Sequence, residues 1–185
     1  MHRSTDRRIA KSEKAIQSAF LEMLLDGGFD SITIKNLTEK ADISRKTFYL
    51  HYVDKYDLLN EIVDEMIKEL TELCEKKKQM EFIEGTVLWF HYFEEHKSFF
   101  AALFAAESTI AFRHRLLDFI MEQLKNKLEG VSDQKNTEVQ RKFMAMAVLG
   151  VVESYVLNQF DVGIDEIAEQ VGELLEQIIE HVQKK

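Results

Sequence analysis

The chain has 185 residues, of which 45% are hydrophobic and 31% charged, so it can form one domain or a small domain joined to a larger one. This composition excludes a disordered, collagen-like or disulfide-stabilised chain. The net charge of −9 is uneven: residues 1–60 hold 10 Lys+Arg and 9 Asp+Glu, whereas residues 61–185 hold 14 and 24. Only the first third of the chain is therefore expected to approach phosphate groups.

The absence of proline, together with only 7 glycines, predicts a mostly helical chain with long helices and disfavours an all-β or parallel α/β fold. Cys74 is the single cysteine and cannot close an intramolecular disulfide, and the first residues do not resemble a secretion signal. The longest nearly pure apolar run, residues 143–152, is far shorter than the ~20 residues that span a bilayer. We therefore expect a cytoplasmic protein without a membrane span.

Apolar spacing predicts about nine helices in chain order. The first four are expected at about residues 5–26, 34–41, 45–51 and 55 to at least 73. The other five are expected at about 80–95, 97–106, 109–128, 137–160 and 164–183, with loops at 130–136 and 161–163. Thr33, Ser44 and Asp54 are candidate helix caps, and Gly27-Gly28 is expected to end the first helix.

The second and third predicted helices are short and are joined by a turn of about three residues, an arrangement typical of a helix-turn-helix. In that motif the second helix enters the DNA major groove with its N-terminal residues at base edges. Here this helix begins with the polar and cationic residues Ser44-Arg45-Lys46-Thr47, while Phe48 is expected to point inward as an anchor. The residues therefore predict a DNA-reading element.

The run ADISRKTFYLHYVDKYDLL, residues 41–59, resembles the signature of the TetR family of one-component transcriptional regulators. The strong resemblance covers about the first 65 residues, and the remainder is similar in length and in helix number and order. It implies an all-α fold with a helix-turn-helix DNA-binding domain at 1–53 and a helical ligand-binding and dimerisation domain at 54–185. Asp42 stands where the family often has Gly, and Asp tolerates the left-handed turn conformation better than most residues.

The resemblance also implies a set of DNA-binding residues. Those expected to bind phosphate or to position the reading helix are Thr33, Ser44, Tyr49 and Tyr52. Lys55 is expected to bind phosphate from the N-terminus of the fourth helix, with His51 as a further candidate. Those expected at base edges are Arg45, Lys46 and Thr47. The alternative is that the tyrosines complete the core and the cations form a solvated surface.

A second basic cluster precedes the helix-turn-helix and consists of Arg3, Arg7, Arg8 and Lys11. Such a cluster is more often a solvated helix end than a DNA contact. The alternative is an additional contact to phosphate or to the minor groove.

Operators are normally bound by two DNA-binding domains related by a two-fold axis, so a homodimer interface is expected. The last two predicted helices, about residues 137–183, are the candidates, and the resemblance implies a four-helix bundle made of two such helices from each subunit. The final helix has a coiled-coil-like apolar spacing at Ile164, Ile167, Val171, Leu174 and Ile178. Residues 143–152 are apolar nearly all round, which predicts burial on every side. The alternative is that both helices only complete the monomer core.

Aromatic and methionine residues are concentrated in the middle of the chain, and most are expected to be core. The resemblance nevertheless implies a small-ligand cavity in this region. The candidate ligand-binding residues are Trp89, Phe93, Phe104, Phe119, Met144 and Tyr155, with His91, His114 and Glu153 as further polar candidates.

No catalytic, cofactor or metal motif is found in the sequence: Glu-x-x-His, His-Glu-x-x-His, Gly-x-Ser-x-Gly, Gly-x-Gly-x-x-Gly and P-loop patterns are all absent. We therefore expect no enzyme activity, cofactor or metal. The pairs His91–Glu95 and His114–Asp118 have a spacing that could share a metal, but isolated pairs of this kind are commonly surface residues.

The predicted function is a sequence-specific DNA-binding transcriptional regulator that binds a double-stranded DNA operator as a homodimer. We expect a repressor that a small-molecule effector releases from a palindromic operator. The alternative is an activator controlled by a protein partner. An aromatic-lined cavity would favour the effector, and a filled body without a void would favour the protein partner.

Overall fold

The computed structural model describes the backbone of residues 2–77, 80–128 and 134–183, and the side chains of residues 8–77, 80–128 and 138–181. Within these ranges the chain forms nine α-helices, two short 3-10 helices and no strand, which confirms the all-α prediction. The α-helices are α1 (His2–Gly27), α2 (Ile34–Lys40), α3 (Arg45–Phe48), α4 (Lys55–Lys77), α5 (Phe82–Glu95), α6 (Lys97–Ala105), α7 (Ile110–Lys127), α8 (Gln134–Val156) and α9 (Ile164–Gln183). The 3-10 helices are Phe29–Ser31 and Glu107–Thr109.

Helices α1 to α3 enclose a small apolar core, which we call the head. Phe20 of α1, Phe29 of the first 3-10 helix, Leu37 of α2 and Phe48 of α3 are all fully buried there. The Phe20 and Phe29 rings meet edge to face with centroids 6.1 Å apart. Burial of large aromatic side chains supplies most of the stability that a unit of this size can have.

Helices α4 to α9 form a larger layered bundle, which we call the body. Helix α9 packs along α5, α7 packs along α8, and α4 lies against α5 and α7. Helix α6 contacts both α8 and α1, so the body also touches the head away from α4. No helix in the described part of the chain is long and apolar enough to cross a bilayer.

The predicted caps are confirmed. Thr33 accepts the backbone N–H of Asn36 at 3.2 Å, and Asn36 Oδ1 accepts that of Thr33 at 2.8 Å, which is a capping box. Ser44 accepts the Thr47 N–H at 3.0 Å, and Asp54 accepts the Asp57 N–H at 2.9 Å. These side chains satisfy amide groups that the first turns of α2, α3 and α4 leave unpaired.

Several predicted helix boundaries were wrong. Helix α3 ends at Phe48 instead of near His51, although backbone hydrogen bonds continue its turns to Tyr52. Helix α8 already includes residues 134–136 of the predicted loop, of which 130–133 lie outside the described residues. It ends at Val156, four residues before the predicted end.

Asn158 is the physical reason for the early end of α8. Its φ is 56°, and the N–H of Gln159 donates to the Ser154 carbonyl at 2.9 Å. The N–H of Asn158 donates to the Tyr155 carbonyl at 3.0 Å. Together these bonds form a Schellman motif, in which Asn takes the place that Gly usually has.

The predicted seam of α9 turns largely inward. Ile164 and Ile167 are buried, Val171 and Ile178 are half-buried, and Leu174 is 61% exposed. The physical reason is that α5 lies along this face and covers most of it within the monomer. The expected seam is therefore mostly monomer core in a single chain.

Helix α8 is not covered on every side within the single chain, so the predicted burial on every side would need a partner subunit. Met144, Ala145 and Val148 are buried, whereas Phe143 is 65% exposed and Met146 is 55% exposed. Neighbouring helices cover only part of the α8 circumference, so an apolar stripe on its other side stays uncovered in the single chain.

The turn between α2 and α3 yields the first testable prediction. Asp42 has φ 54°, in the left-handed region that penalises a side chain with a branched Cβ. We expect Asp42→Val to lower the free energy of unfolding by about 1 to 2 kcal/mol and Asp42→Gly to leave it unchanged or slightly higher. Urea unfolding followed by circular dichroism at one protein concentration measures both, and equal stability of the two variants would contradict the argument.

Candidate functional site

The first turn of α3 presents polar and cationic side chains to solvent. Arg45 and Lys46 are exposed, and among the described residues neither forms an ion pair. Thr47 is half-buried, and its hydroxyl lies 2.8 Å from the Ser44 hydroxyl. Since Phe48 anchors the opposite side of the helix in the head core, the cations are held pointing outward. This geometry suits contact with the edges of bases in a groove.

Further predicted residues flank this turn. Thr33 and Tyr49 are exposed, with Tyr49 at 58%. His51 is half-buried, and its Nε2 lies 2.7 Å from Ser12 Oγ on α1. Arg8 lines a surface recess together with Thr47 and His51, so one member of the N-terminal basic cluster is beside the reading helix. Lys11 is exposed, and the side chains of Arg3 and Arg7 lie outside the described residues.

Tyr52 lies inside the head instead of on its surface. It is 3% exposed, and its hydroxyl donates to Glu61 Oε1 on α4 at 3.2 Å. Gln17 of α1 donates to the same carboxylate oxygen at 3.2 Å. Burial, reinforced by the Glu61 carboxylate, raises the pKa of the Tyr52 hydroxyl well above its usual value. Of the two roles that the resemblance implies, this geometry fits positioning of the head.

Lys55 begins α4, and its ammonium group is bonded within the head. Its Nζ donates to the carbonyls of Phe29 at 3.0 Å and Ile32 at 2.9 Å. The same Nζ lies 4.5 Å from the centroid of the Phe29 ring. An ammonium group has three N–H donors, so these two bonds leave one for a phosphate.

The body contains an aromatic-lined cavity of about 110 Å³ between α4, α5, α7, α8 and α9. Its walls are mainly apolar, with amide and lysine groups at one part of the lining. The lining residues are Cys74, Lys77, Phe82, Thr86, Trp89, Phe90, Phe119, Ile120, Gln123, Leu124, Asn126, Lys127, Val148 and Leu175. A mainly apolar chamber with a few polar groups is typical of a small-molecule site.

Two of the six candidate ligand residues, Trp89 and Phe119, line this cavity. The other four, Phe93, Phe104, Met144 and Tyr155, are buried but absent from its described lining. The Phe93 and Phe100 rings are tilted against each other with centroids 4.6 Å apart, and Phe104 meets Phe112 edge to face with centroids 5.2 Å apart. These aromatic contacts occupy the space that a ligand would need there.

The further polar candidates do not line the cavity either. Glu153 is paired with Arg113, whose Nη2 lies 2.5 Å from Glu153 Oε1. His91 Nε2 lies 2.8 Å from Asp165 Oδ1, and His114 is exposed. Among the described residues, no three or more His, Cys, Asp or Glu side chains are grouped so that they could hold a metal ion.

Among the described residues, Lys77 is a lysine whose pKa is strongly shifted. It is half-buried at the C-terminal end of α4, and its Nζ lies 5.9 Å from the centroid of the Trp89 ring. Burial lowers the pKa of Lys77 to about 8, and the positive charge of Lys127 contributes in the same direction. The charge on Lys77 is therefore costly in the folded chain without a bound anion.

Family models match both the head and most of the body. Residues 16–62 match the family described as "Bacterial regulatory proteins, tetR family". Residues 80–177, more than half of the chain, match the TetR model described as "Transcriptional regulator C-terminal region". The chain belongs to the TetR family of transcriptional regulators. The predicted family is thus confirmed.

Individual relatives agree with this TetR assignment. The chain is 37% identical over 68 residues to YxbF, an uncharacterized HTH-type transcriptional regulator of Bacillus subtilis (strain 168). That match covers 36% of this chain and 18% of YxbF. A TetR transcriptional regulator from Streptococcus agalactiae 2603V has a similar structure, with a TM-score of 0.75 at 19% identity over 95% of this chain and 99% of that one. DhaS, an activator of a dihydroxyacetone kinase operon, has a TM-score of 0.67 at 18% identity over 92% of this chain and 97% of that one.

Sequence reasoning missed most of the residues of this TetR body that line the cavity, and the two lysines among them are Lys77 and Lys127. A signal for Lys77 was present, because it lies three residues after Cys74 and seven after the buried Leu70, on the inward face of α4. Reasoning from aromatic content alone selected residues that pack on one another. The cavity depends on where α4, α5 and α7 diverge, which one-dimensional spacing does not contain.

The shifted pKa of Lys77 yields the second prediction. The unfolded chain keeps the ordinary value of 10.5, so between pH 8 and 10.5 it holds a proton that the folded chain has lost. This group therefore makes stability rise with pH in that window. We expect Lys77→Met to be more stable than the wild type at pH 7 by roughly 1 to 3 kcal/mol, and by less than half of that gain at pH 9.5.

Urea unfolding at both pH values measures this difference. Lys125→Met on α7 is the matched control, because Lys125 is exposed and lies 3.3 Å from Glu122 on the surface. A gain for Lys77→Met that is the same at both pH values would show that burial of the charge is not its cause.

Proposed function

We propose that this TetR-family regulator is a repressor whose homodimer leaves a palindromic operator when a small-molecule effector fills the aromatic cavity. The observation that carries the proposal is the position of α4. Its first residue is bonded to the head, and its last turn lines the cavity through Cys74 and Lys77. We place its action in the cytoplasm, where its DNA target is.

The proposed DNA contacts follow from exposure and charge. Arg45, Lys46 and Thr47 read base edges, since they lie on the outward side of α3 with Phe48 as the anchor. The remaining predicted residues hold phosphates or orient the head; they are Thr33, Ser44, Tyr49, His51, Tyr52 and Lys55. Arg8 adds a phosphate contact from α1. This division places the DNA contacts in the head at 1–53, apart from Lys55 at the start of α4, and leaves the rest of the acidic body at 54–185 away from the phosphates.

The proposed dimer interface is the uncovered face of α8 with the adjoining part of α9. Val139, Phe143, Met146 and Gly150 follow one another at helical spacing on one exposed face of α8. Exposed apolar stripes of this kind mark association surfaces. The exposed Leu174 of α9 supplements them, whereas the rest of its predicted seam packs against α5.

The proposed switch is a population shift. An effector that fits the cavity better in one position of α4 favours the dimer with that position. Since α4 is a single helix from Lys55 to Lys77, this shift changes the separation of the two heads and their fit to half-sites one helical turn apart. The aromatic cavity favours an effector over the alternative of control by a protein partner, which needs no internal void. DhaS is an activator, but at 18% identity its likeness to this chain carries the fold alone.

The third prediction tests DNA reading. We expect Arg45→Ala and Lys46→Ala each to reduce the binding preference for DNA upstream of the protein's own gene over a scrambled duplex by about tenfold. Fluorescence anisotropy at two salt concentrations measures the preference and the salt slope. Lys125→Ala on α7 is the control, because it removes the same charge from the body. Undiminished preference in both head variants would overturn the proposed reading face.

The fourth prediction tests the dimer. Phe143→Glu and Met146→Glu each place a charge on the uncovered face of α8, and we expect either to convert the dimer to a monomer. Ile110→Glu is the matched control, because Ile110 is an apolar residue with 58% exposure on α7. Sedimentation velocity over a range of concentrations measures the state, and dimers that survive both α8 substitutions would exclude this face.

A further inference from the structure

Two lysines are the charged residues in the described lining of the aromatic cavity. Lys77 of α4 and Lys127 of α7 both line it, and no Asp or Glu is among its described lining residues. Each ammonium lies near a lining ring, Lys77 at 5.9 Å from the Trp89 centroid and Lys127 at 5.7 Å from the Phe82 centroid. The electrostatic character of the cavity is therefore that of an anion site, within a body that is acidic overall.

Lys127 also destabilises the charge on Lys77. The pKa of Lys77 is lowered to about 8, mainly by burial and in part by repulsion from Lys127. An anionic group between them would offset both effects, because it pairs with each cation in a partly desolvated setting. Gln123 and Asn126, which line the same cavity on α7, offer amide N–H donors to such a group.

The opposite part of the lining is apolar. Phe90 is 1% exposed, and Ile120, Val148 and Leu175 are buried, while Asn126 and Lys127 are exposed. The polar end of the cavity is thus the end open to solvent. A dry cavity of about 150 Å³ accepts benzene, so a chamber of about 110 Å³ accepts an apolar body of about four carbon atoms.

We propose that the effector is a small monocarboxylate, whose carboxylate lies between Lys77 and Lys127 and whose apolar body occupies the chamber against Trp89 and Phe90. A carboxylate has two oxygens to satisfy, and two ammonium groups supply a charged donor to each. This inference rests on the proposed function, since it names the chemical class of the ligand of the same cavity.

Pentanoate is the probe, and pentanamide is its neutral counterpart of the same shape. Trp89 is the only tryptophan of the chain and lines the cavity, so its fluorescence reports filling without a label. We expect pentanoate to change the fluorescence in a saturable way and pentanamide to bind about tenfold or more weakly. Cys74, the only cysteine, gives a second readout: pentanoate should slow its alkylation by iodoacetamide.

Three variants separate the lysine pair from a general charge effect. Lys77→Met and Lys127→Met keep most of the apolar stem and should each weaken pentanoate binding about tenfold. Lys125→Met removes one charge from the same helix as Lys127, outside the cavity lining, and should bind as the wild type does. Melting temperatures of all variants show that each is folded.

The proposal is overturned if pentanamide binds as tightly as pentanoate, or if both cavity variants retain wild-type affinity. It is also overturned if pentanoate neither alters Trp89 fluorescence nor protects Cys74. These readouts need no DNA, so they separate this inference from the proposed function. If the protein binds the carboxylate but shows no operator preference, the proposed operator release is overturned and the inference of a monocarboxylate ligand is retained.

Discussion

The Lys55 ammonium holds the beginning of α4 against the carbonyls of Phe29 and Ile32, and the orientation of the head depends on this pair of bonds. Further along α4, Glu61 accepts hydrogen bonds from Tyr52 and Gln17. These bonds tie α1 and the segment after α3 to the same helix. At 1.5 Å per residue, the far end of α4 lies about 33 Å away, in the wall of the cavity. One continuous helix thus joins the head to the wall of the cavity.

Local chemistry was sufficient to predict most of the fold. Caps such as Thr33 and Asp54 act within three residues, and the left-handed turn at Asp42 depends on one residue's tolerance, so each is determined by its own neighbours. The end of α8 was predicted incorrectly because the apolar pattern continues to Phe160, whereas Asn158 closes the helix through its backbone conformation. Periodicity reports which face is apolar, and it does not report where backbone hydrogen bonding stops.

The parts of the candidate site that depend on neighbouring residues in the sequence were predictable. The parts that depend on contacts between distant residues were not. Arg45 and Lys46 follow a capped turn with an inward Phe48, so their exposure could be predicted from adjacent residues. Tyr52 could not be placed, since its burial depends on Gln17 and Glu61, which are distant in sequence. The cavity lining could not be predicted from the sequence either. Aromatic residues such as Phe93 pack against other rings, whereas Trp89 borders the space between diverging helices.

The body is acidic overall, but distance and screening weaken the repulsion between its acidic residues and an anion in the cavity. Residues 61–185 carry 24 Asp+Glu against 14 Lys+Arg, but charges separated by more than about 8 Å are largely screened at physiological salt. Within the cavity, low-dielectric walls preserve the effect of Lys77 and Lys127, so these two charges dominate locally. A neutral ligand of the same shape would leave Lys77 desolvated and unpaired.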